Sequence, residues 1–232
     1  MSLALVFSRA SVGIDAPLIH VEVHLANGLP SFNLVGLPEA SVREAKDRVR
    51  SALINSGFEF PAKRITVNLA PADLPKDGGR FDLAIAIGII AANYQLPAAQ
   101  LQQLELVGEL ALSGEIRAVS GALPFAYACS QANRQAILPG DNAAEASLIK
   151  DLKIIGAHQL LDVFNHIMGQ KPLAYFQVNA TPQEAHYDND LQDVVGQSSA
   201  KRALEIAAAG SHNLLFTGPP GTGKTMLASR LI

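Results

Sequence analysis

Arg64-Ile-Thr-Val-Asn-Leu69 leads through Ala70-Pro-Ala-Asp-Leu-Pro-Lys-Asp-Gly-Gly79 and Arg80 into Phe81-Asp-Leu-Ala-Ile-Ala-Ile-Gly-Ile-Ile-Ala-Ala92. The first six residues are rich in β-branched side chains and read as a strand. The Pro- and Asp-rich run after them is a loop. Phe81 to Ala92 is too long for a strand, and its Ala and Ile residues recur three and four apart. That spacing predicts a helix, and its apolar surface on every side predicts burial. Strand, loop and buried helix together require a mixed α and β core.

Upstream, Leu3, Leu5 and Phe7 alternate with smaller residues, and Ile19-His-Val-Glu-Val-His-Leu25 alternates apolar with polar. Both have the period of a half-buried strand. Asn27-Gly28 is a turn signal before a second strand, Ser31 to Val35, so a β-hairpin is expected. Pro38 opens a helix on which Val42, Ala45, Val49, Ala52 and Leu53 share a face, with Gly57 as its C-terminal stop. Its other face carries Arg43, Lys46, Arg48 and Arg50 among Glu39, Glu44 and Asp47. A solvated face laced with ion pairs is the plainer reading; contact with DNA, aided by Lys63 and Arg64, is the sharper one.

Downstream, Leu104 to Leu112 and Glu115 to Val119 flank a hairpin turn at Ser113-Gly114. Helix at Pro124 to Gln131, strand at Ala136 to Leu138, a helical turn from Ala143, strand at Lys153 to Ile155 and helix at Leu160 to Met168 complete this part. From Gln170 to Asp190, prolines, asparagines and acids break all periodicity, which reads as a linker. Ser199 to Ala209 is then helical and Asn213 to Thr217 is a strand.

The bulk numbers narrow the function classes. Of 232 residues, 49% are hydrophobic and 17% charged, which supports a packed core and argues against disorder. A net charge of -3 gives no global pull toward nucleic acid or an anionic membrane. Any DNA contact must be a local patch. The single cysteine, Cys129, forms no internal disulfide and reads as a small hydrophobe in a reducing compartment. The longest apolar run, Leu83 to Ala92, is half of the roughly 20 residues that a membrane span needs. No signal peptide is evident, so a cytoplasmic protein with no membrane partner is expected. Among six histidines, His20 and His24 share a strand face, but about 13 Å apart. No Cys or carboxylate cluster completes a metal site there.

Near the end stands Gly218-Pro-Pro-Gly-Thr-Gly-Lys-Thr225, between the apolar Leu214-Leu-Phe216 and the helical Met226 to Ile232. Strand, glycine-rich loop and helix are what a nucleotide phosphate needs. In the loop Gly218, Pro219, Pro220, Gly221, Thr222 and Gly223, the glycines let the backbone curl so that its N–H groups point at phosphate oxygens. Lys224 supplies a charge for the β- and γ-phosphates, and Thr225 a hydroxyl for the accompanying Mg²⁺. ATP with Mg²⁺ is therefore the expected cofactor. Hydrolysis also needs an acidic pair on another strand, which cannot follow within the eight residues after Lys224. The chain reads as a fragment of a longer ATPase, itself inactive, with no catalytic residue of its own.

Several segments together resemble one family: Val35-Gly-Leu-Pro38, Glu44 to Leu53, Ile65 to Asp73, Phe81-Asp-Leu83 and Val107-Gly-Glu-Leu-Ala-Leu-Ser-Gly-Glu-Ile116. They are similar to the N-terminal region of the ComM proteins, also called YifB or magnesium-chelatase-related ATPases. Val194-Val-Gly-Gln197 and the phosphate loop resemble the start of that family's AAA+ module. The resemblance implies an α+β domain similar to the proteolytic domain of Lon at residues 1–169. A linker at 170–190 and the truncated start of a P-loop α/β domain at 191–232 would follow. It places adenine near Val195, Gly196 and Gln197. It also implies hexameric rings and ATP-driven branch migration of DNA in natural transformation, or alternatively protein remodelling with the Lon-like part as a docking module.

Lon uses a Ser–Lys dyad. Pro75-Lys-Asp-Gly78 matches the run before its serine, but Gly79, Arg80, Phe81 and Asp82 follow with no serine among them. The lysine is expected near Ser120 to Pro124, and none is there. Ser113 and Ser120 are left as turn or cap residues, and peptidase chemistry is not expected. Asp73, Lys76, Asp77, Arg80 and Asp82 give the loop before the buried helix enough charge to dock a partner, or simply to be solvated.

Overall fold

The computed structural model describes residues 2–36, 44–76, 78–177 and 190–231. These divide into two compact units, Met1–Val178 and Asn179–Ile232. The first unit contains a seven-stranded sheet. Its strands are β1 (Ser2–Arg9), β2 (Leu18–Ala26), β3 (Ser31–Val35), β4 (Arg64–Ala70), β5 (Leu104–Leu106), β8 (Gln135–Pro139) and β9 (Ile154–Ala157), in the order β3-β4-β2-β1-β5-β8-β9. β6 (Glu109–Leu110) and β7 (Ile116–Arg117) form a separate small ladder. β1 and β4 each pair antiparallel with β2, while the other four pairings of the large sheet are parallel.

The strands form where the two-residue period foretells them. In β2, Ile19, Val21, Val23 and Leu25 are buried and the residues between them are not. In β4, Ile65, Val67 and Leu69 are buried in the same way. The expected hairpin between β2 and β3 does not form. β4 is inserted between them, and β3 runs parallel to β4 with Phe32 opposite Ile65 and Leu34 opposite Val67. Asn27-Gly28 reverses the chain, but a turn signal does not name the partner. Beside β4, the partly buried Phe32 and Leu34 of β3 stand against the buried Ile65 and Val67. The hairpin present is β1 with β2, from Ser2 opposite Leu25 to Arg9 opposite Leu18.

Helix α1 is described over Ala45–Asn55, and buries Ala45, Val49, Ala52 and Leu53 as their spacing requires. Its expected start at Pro38, with Glu39, Val42 and Arg43, lies outside the described residues. Helix α2, Asp82–Tyr94, is buried at every position from Asp82 to Ala92. It lies on β1 and β2. Gly88 allows that approach, because a Cβ there would stand 2.6 Å from Val23 Cγ2. Each of Leu83, Ile85, Ile87, Ile89 and Ile90 contributes about 2 kcal/mol by leaving water. The short helix α3 (Ala98–Leu101) returns the chain to β5.

The expected strand Leu104 to Leu112 is divided in two. β5 enters the large sheet, and β6 pairs with β7 across the Ser113-Gly114 turn. Gly108 separates them. Its N–H donates to the Arg80 carbonyl at 2.9 Å and its carbonyl accepts from the Leu83 N–H at 3.1 Å, so the chain bends to cap α2. Helices α4 (Ala122–Gln131), α5 (Ala143–Ala146) and α6 (Leu160–Ile167) alternate with β8 and β9. The stretch 170–177, expected as linker, packs back on the first unit: the Phe176 N–H donates to the Ile154 carbonyl at 2.8 Å, and that of Leu173 to His166 Nδ1 at 3.0 Å.

Two buried carboxylates, each paired with arginine, pin the layers. Glu105 on β5 accepts from Arg9 Nη2 at 2.8 Å and from Arg134 Nη1 at 3.0 Å. Asp82, at the start of α2, accepts from Arg48 Nε at 2.7 Å and Nη2 at 3.2 Å, and from the Leu110 N–H at 3.3 Å. Burial raises the Asp82 pKa to about 6, although Arg48 opposes the shift. The folded state thus favours protonated Asp82. Its contribution to stability is fully present below the ordinary carboxylate pKa and is lost as pH rises through about 6.

The second unit is small. A 3-10 turn at Leu191–Asp193 precedes helices α7 (Ser198–Gly210) and α8 (Lys224–Ala228). Val194, Leu204 and Leu227 form its core, with Leu191, Ala200 and Phe216 against them. Asn213 to Thr217 forms no strand, contrary to its apolar pattern. A strand requires a ladder partner, and the described residues of this unit contain no other strand to supply one.

Asp82→Asn should flatten the dependence of the urea midpoint on pH between about 4 and 7. Arg48→Met should destabilise the first unit by about 3 kcal/mol at pH 8, through the unpaired buried carboxylate, and by less at pH 5.

Candidate functional site

The phosphate loop lies at the surface of the second unit. Gly218, Gly221 and Gly223 hold φ values of +152, +82 and +82°, the left-handed region that only glycine enters without strain. Lys224 Nζ donates to the carbonyls of Gly218 at 2.9 Å and Pro219 at 2.8 Å, and Thr222 Oγ1 to Pro219 at 2.9 Å. The lysine is therefore folded against its own loop, its ammonium held by carbonyl oxygens. An anion entering the loop must exchange with those carbonyls. Thr225 is exposed. Helix α8 is only five residues long, so its dipole adds little at the loop.

Leu227, one turn beyond Lys224, packs in the same cluster as Val194. That contact anchors the turn Val195–Gln197 within the unit that carries the phosphate loop. Val195 is almost fully exposed, at 94%. Gly196 and Gln197 have positive φ, +74 and +57°, and Gln197 opens α7.

In the first unit, the structure separates the basic residues that the sequence groups together. Arg48 turns inward to Asp82 and also meets Glu44 at 3.8 Å. Its guanidinium is committed to the fold. Arg43 lies outside the described residues. Lys46, Arg50, Lys63 and Arg64 are exposed. The charged loop before α2 also turns inward: Lys76, Arg80 and Asp82 are 0, 5 and 0% exposed. Lys76 Nζ donates to the carbonyls of Pro71 at 2.5 Å and Leu74 at 2.9 Å. Burial lowers its pKa. A docking role for these charges is thereby removed, leaving Asp73 exposed; Asp77 is outside the described residues.

Ser113 Oγ accepts from the Glu115 N–H at 3.4 Å, a turn role. Cys129 is buried and its Sγ donates to the Arg134 carbonyl at 3.2 Å, while burial pushes the thiol pKa up. Neither group is poised as a nucleophile. Among the described residues, no helix is long and apolar enough to cross a membrane.

Residues 21–142 match the family Subunit ChlI of Mg-chelatase, and residues 190–232 match Magnesium chelatase, subunit ChlI. The chain belongs to the ComM/YifB family of magnesium-chelatase-related proteins. It is 60% identical to Competence protein ComM of Haemophilus influenzae, across all of this chain and 46% of that protein. It is 54% identical to Uncharacterized protein YifB of Salmonella typhimurium, with the same coverage. The chain thus spans about half the length of the curated relatives it matches. A shorter match, 38% identical over 74 residues, is to Holliday junction branch migration complex subunit RuvB 1 of a Synechococcus species, covering 27% of this chain and 20% of that protein. Membership gives the phosphate loop its context, since the family in general uses nucleotide and Mg²⁺.

Calorimetry of this chain with MgATP should detect millimolar binding at best, because the exposed loop has neither a strand ladder nor a long helix behind it. Tight, Mg²⁺-dependent binding would contradict that expectation.

Proposed function

We propose that this chain forms the N-terminal part of an ATP-driven motor that acts on DNA, extending strand exchange by branch migration during natural transformation. The observation that carries the reading is the end-to-end similarity to Competence protein ComM. The local likeness to a branch migration subunit supports it. ATP with Mg²⁺ would supply the energy, by phosphoryl transfer to water.

This chain's own residues would bind and orient the nucleotide. The N–H groups of Gly218, Gly221, Thr222 and Gly223 would face the phosphates, and Lys224 would leave its carbonyl partners to meet the β- and γ-oxygens. The Thr225 hydroxyl would bind the metal, and Val195, Gly196 and Gln197 would border the adenine. The acidic pair and an arginine from a neighbouring subunit would come from the rest of a hexameric assembly.

The first unit is, in this proposal, a Lon-like scaffold without peptidase chemistry. Arg80 follows Gly79 where a nucleophilic serine would be needed, and Leu123 stands in the stretch where a lysine would be needed. Full-length protein should therefore leave casein intact.

One observation favours a second reading, protein remodelling with the first unit as docking module. An apolar depression of about 860 Å³ is lined by Val12, Ile14, Leu74, Leu123, Tyr127 and Ile149, and Ile14 is 88% exposed. Such a surface suits a protein partner.

ATPase activity of full-length protein should rise on addition of branched DNA and fall to background in Lys224→Ala. Indifference to every DNA form, with stimulation by a protein substrate, would favour remodelling instead.

A further inference from the structure

A second depression in the first unit has a different character. It has a volume of about 600 Å³ and lies where α1, the entry to β3 and the segment before β4 meet. Phe32 and Phe60, both partly buried, give it aromatic surface, with Lys46, Arg50 and Lys63 also lining it. Lys46 and Arg50 are one helical turn apart and so share a face of α1. Lys63 comes from the other side of the chain, beside β3, where its carbonyl accepts from the Ser31 N–H at 3.4 Å.

Phe58, two residues before Phe60, is spent on the core, edge-on to Phe164 at 5.0 Å and to Tyr94 at 6.2 Å. Phe60 is only partly buried and packs against the core, and the Arg50 guanidinium lies over its ring, 5.3 Å from the centre. None of Lys46, Arg50 and Lys63 makes an ion pair with a described residue. Glu59 is the one carboxylate in the lining. Three cations against one anion, on a protein of net charge -3, mark a local reversal of sign.

Aromatic surface beside a row of cations is the chemistry that holds an unpaired nucleic-acid strand. A ring accepts a base face only when that face is free of its own stack, which duplex DNA does not offer. An acidic peptide would satisfy the cations but would leave Phe60 without a flat partner. We propose that this groove binds a single-stranded segment of nucleic acid, with Arg50 leaving the Phe60 ring for a phosphate, a base stacked on Phe60 in its place, and further phosphates held by Lys46 and Lys63. The inference rests on the reading of the protein as DNA-acting, and assigns the strand-holding surface to the first unit rather than to the ATPase.

The test uses full-length protein and fluorescein-labelled oligo-dT in anisotropy titrations over a range of salt. Phe60→Ala should weaken oligo-dT binding by about fivefold or more, and Phe60→Tyr should restore it. Lys46→Gln with Lys63→Gln, both exposed and outside the core, should reduce the salt slope of log K by about 1.4. Basal ATPase without DNA and the urea midpoint should be unchanged in the lysine variant. Wild-type binding of oligo-dT with equal affinity in all these variants would overturn the groove and leave the DNA reading standing. Absence of binding to oligo-dT, duplex and branched DNA alike would overturn both. Binding of an oligo-glutamate peptide, lost in Phe60→Ala, while oligo-dT is ignored would assign the groove to an acidic protein segment and also overturn it.

Discussion

The burial of α2 against β1 and β2 is the constraint on which the first unit depends. A helix apolar on all sides has no stable place at a surface, so it must be covered by sheet on one side and by other elements elsewhere. Gly88 brings it within direct contact of Val23. Asp82 then fixes how α2 begins, because a carboxylate in that position must be answered. Arg48 from α1 and the Leu110 N–H from β6 answer it. One buried group thereby joins α1, α2 and the small ladder, and the direction of its pKa shift indicates that burial outweighs the pairing. Such a group specifies an arrangement more than it stabilises one.

With the core settled in this way, the depressions on the surface of the first unit include two of unlike character, one apolar and one cationic with aromatic rings. The second unit has a much smaller core, three buried side chains holding a phosphate loop to the turn before α7. Lys224 is held by loop carbonyls rather than by a carboxylate. These neutral partners are ones an anion can displace without leaving a buried charge unpaired.

Much of this was legible in the sequence wherever the signal is local. The two-residue period of Ile19 to Leu25 and of Arg64 to Leu69 marks β2 and β4, and the length and spacing of Phe81 to Ala92 mark α2. The phosphate loop and the family are legible because fixed residue types at fixed spacing carry them. Pairing was not legible. Asn27-Gly28 signals a turn, yet β4, some thirty residues on, takes the place beside β2, a choice made by long-range burial. Nor was the fate of charges. Arg48 looks like its neighbours Lys46 and Arg50, and Asp82 like a loop acid, until the fold brings Arg48 to Asp82. Asn213 to Thr217 has the composition of a strand, and the ladder that would make it one lies outside its own residues. The groove around Phe60 had a faint signal in Phe58-Glu-Phe-Pro-Ala-Lys-Arg64, where aromatic, proline and basic residues follow one another.

On the proposed function, the chain belongs to a machine that uses ATP to move branched DNA. The most direct measurement follows a labelled synthetic four-strand junction with full-length protein in real time. ATP-dependent conversion to the exchanged duplexes, absent when ATP is replaced by a non-hydrolysable analogue, is the predicted result. Steady ATP hydrolysis with the junction left intact would contradict it.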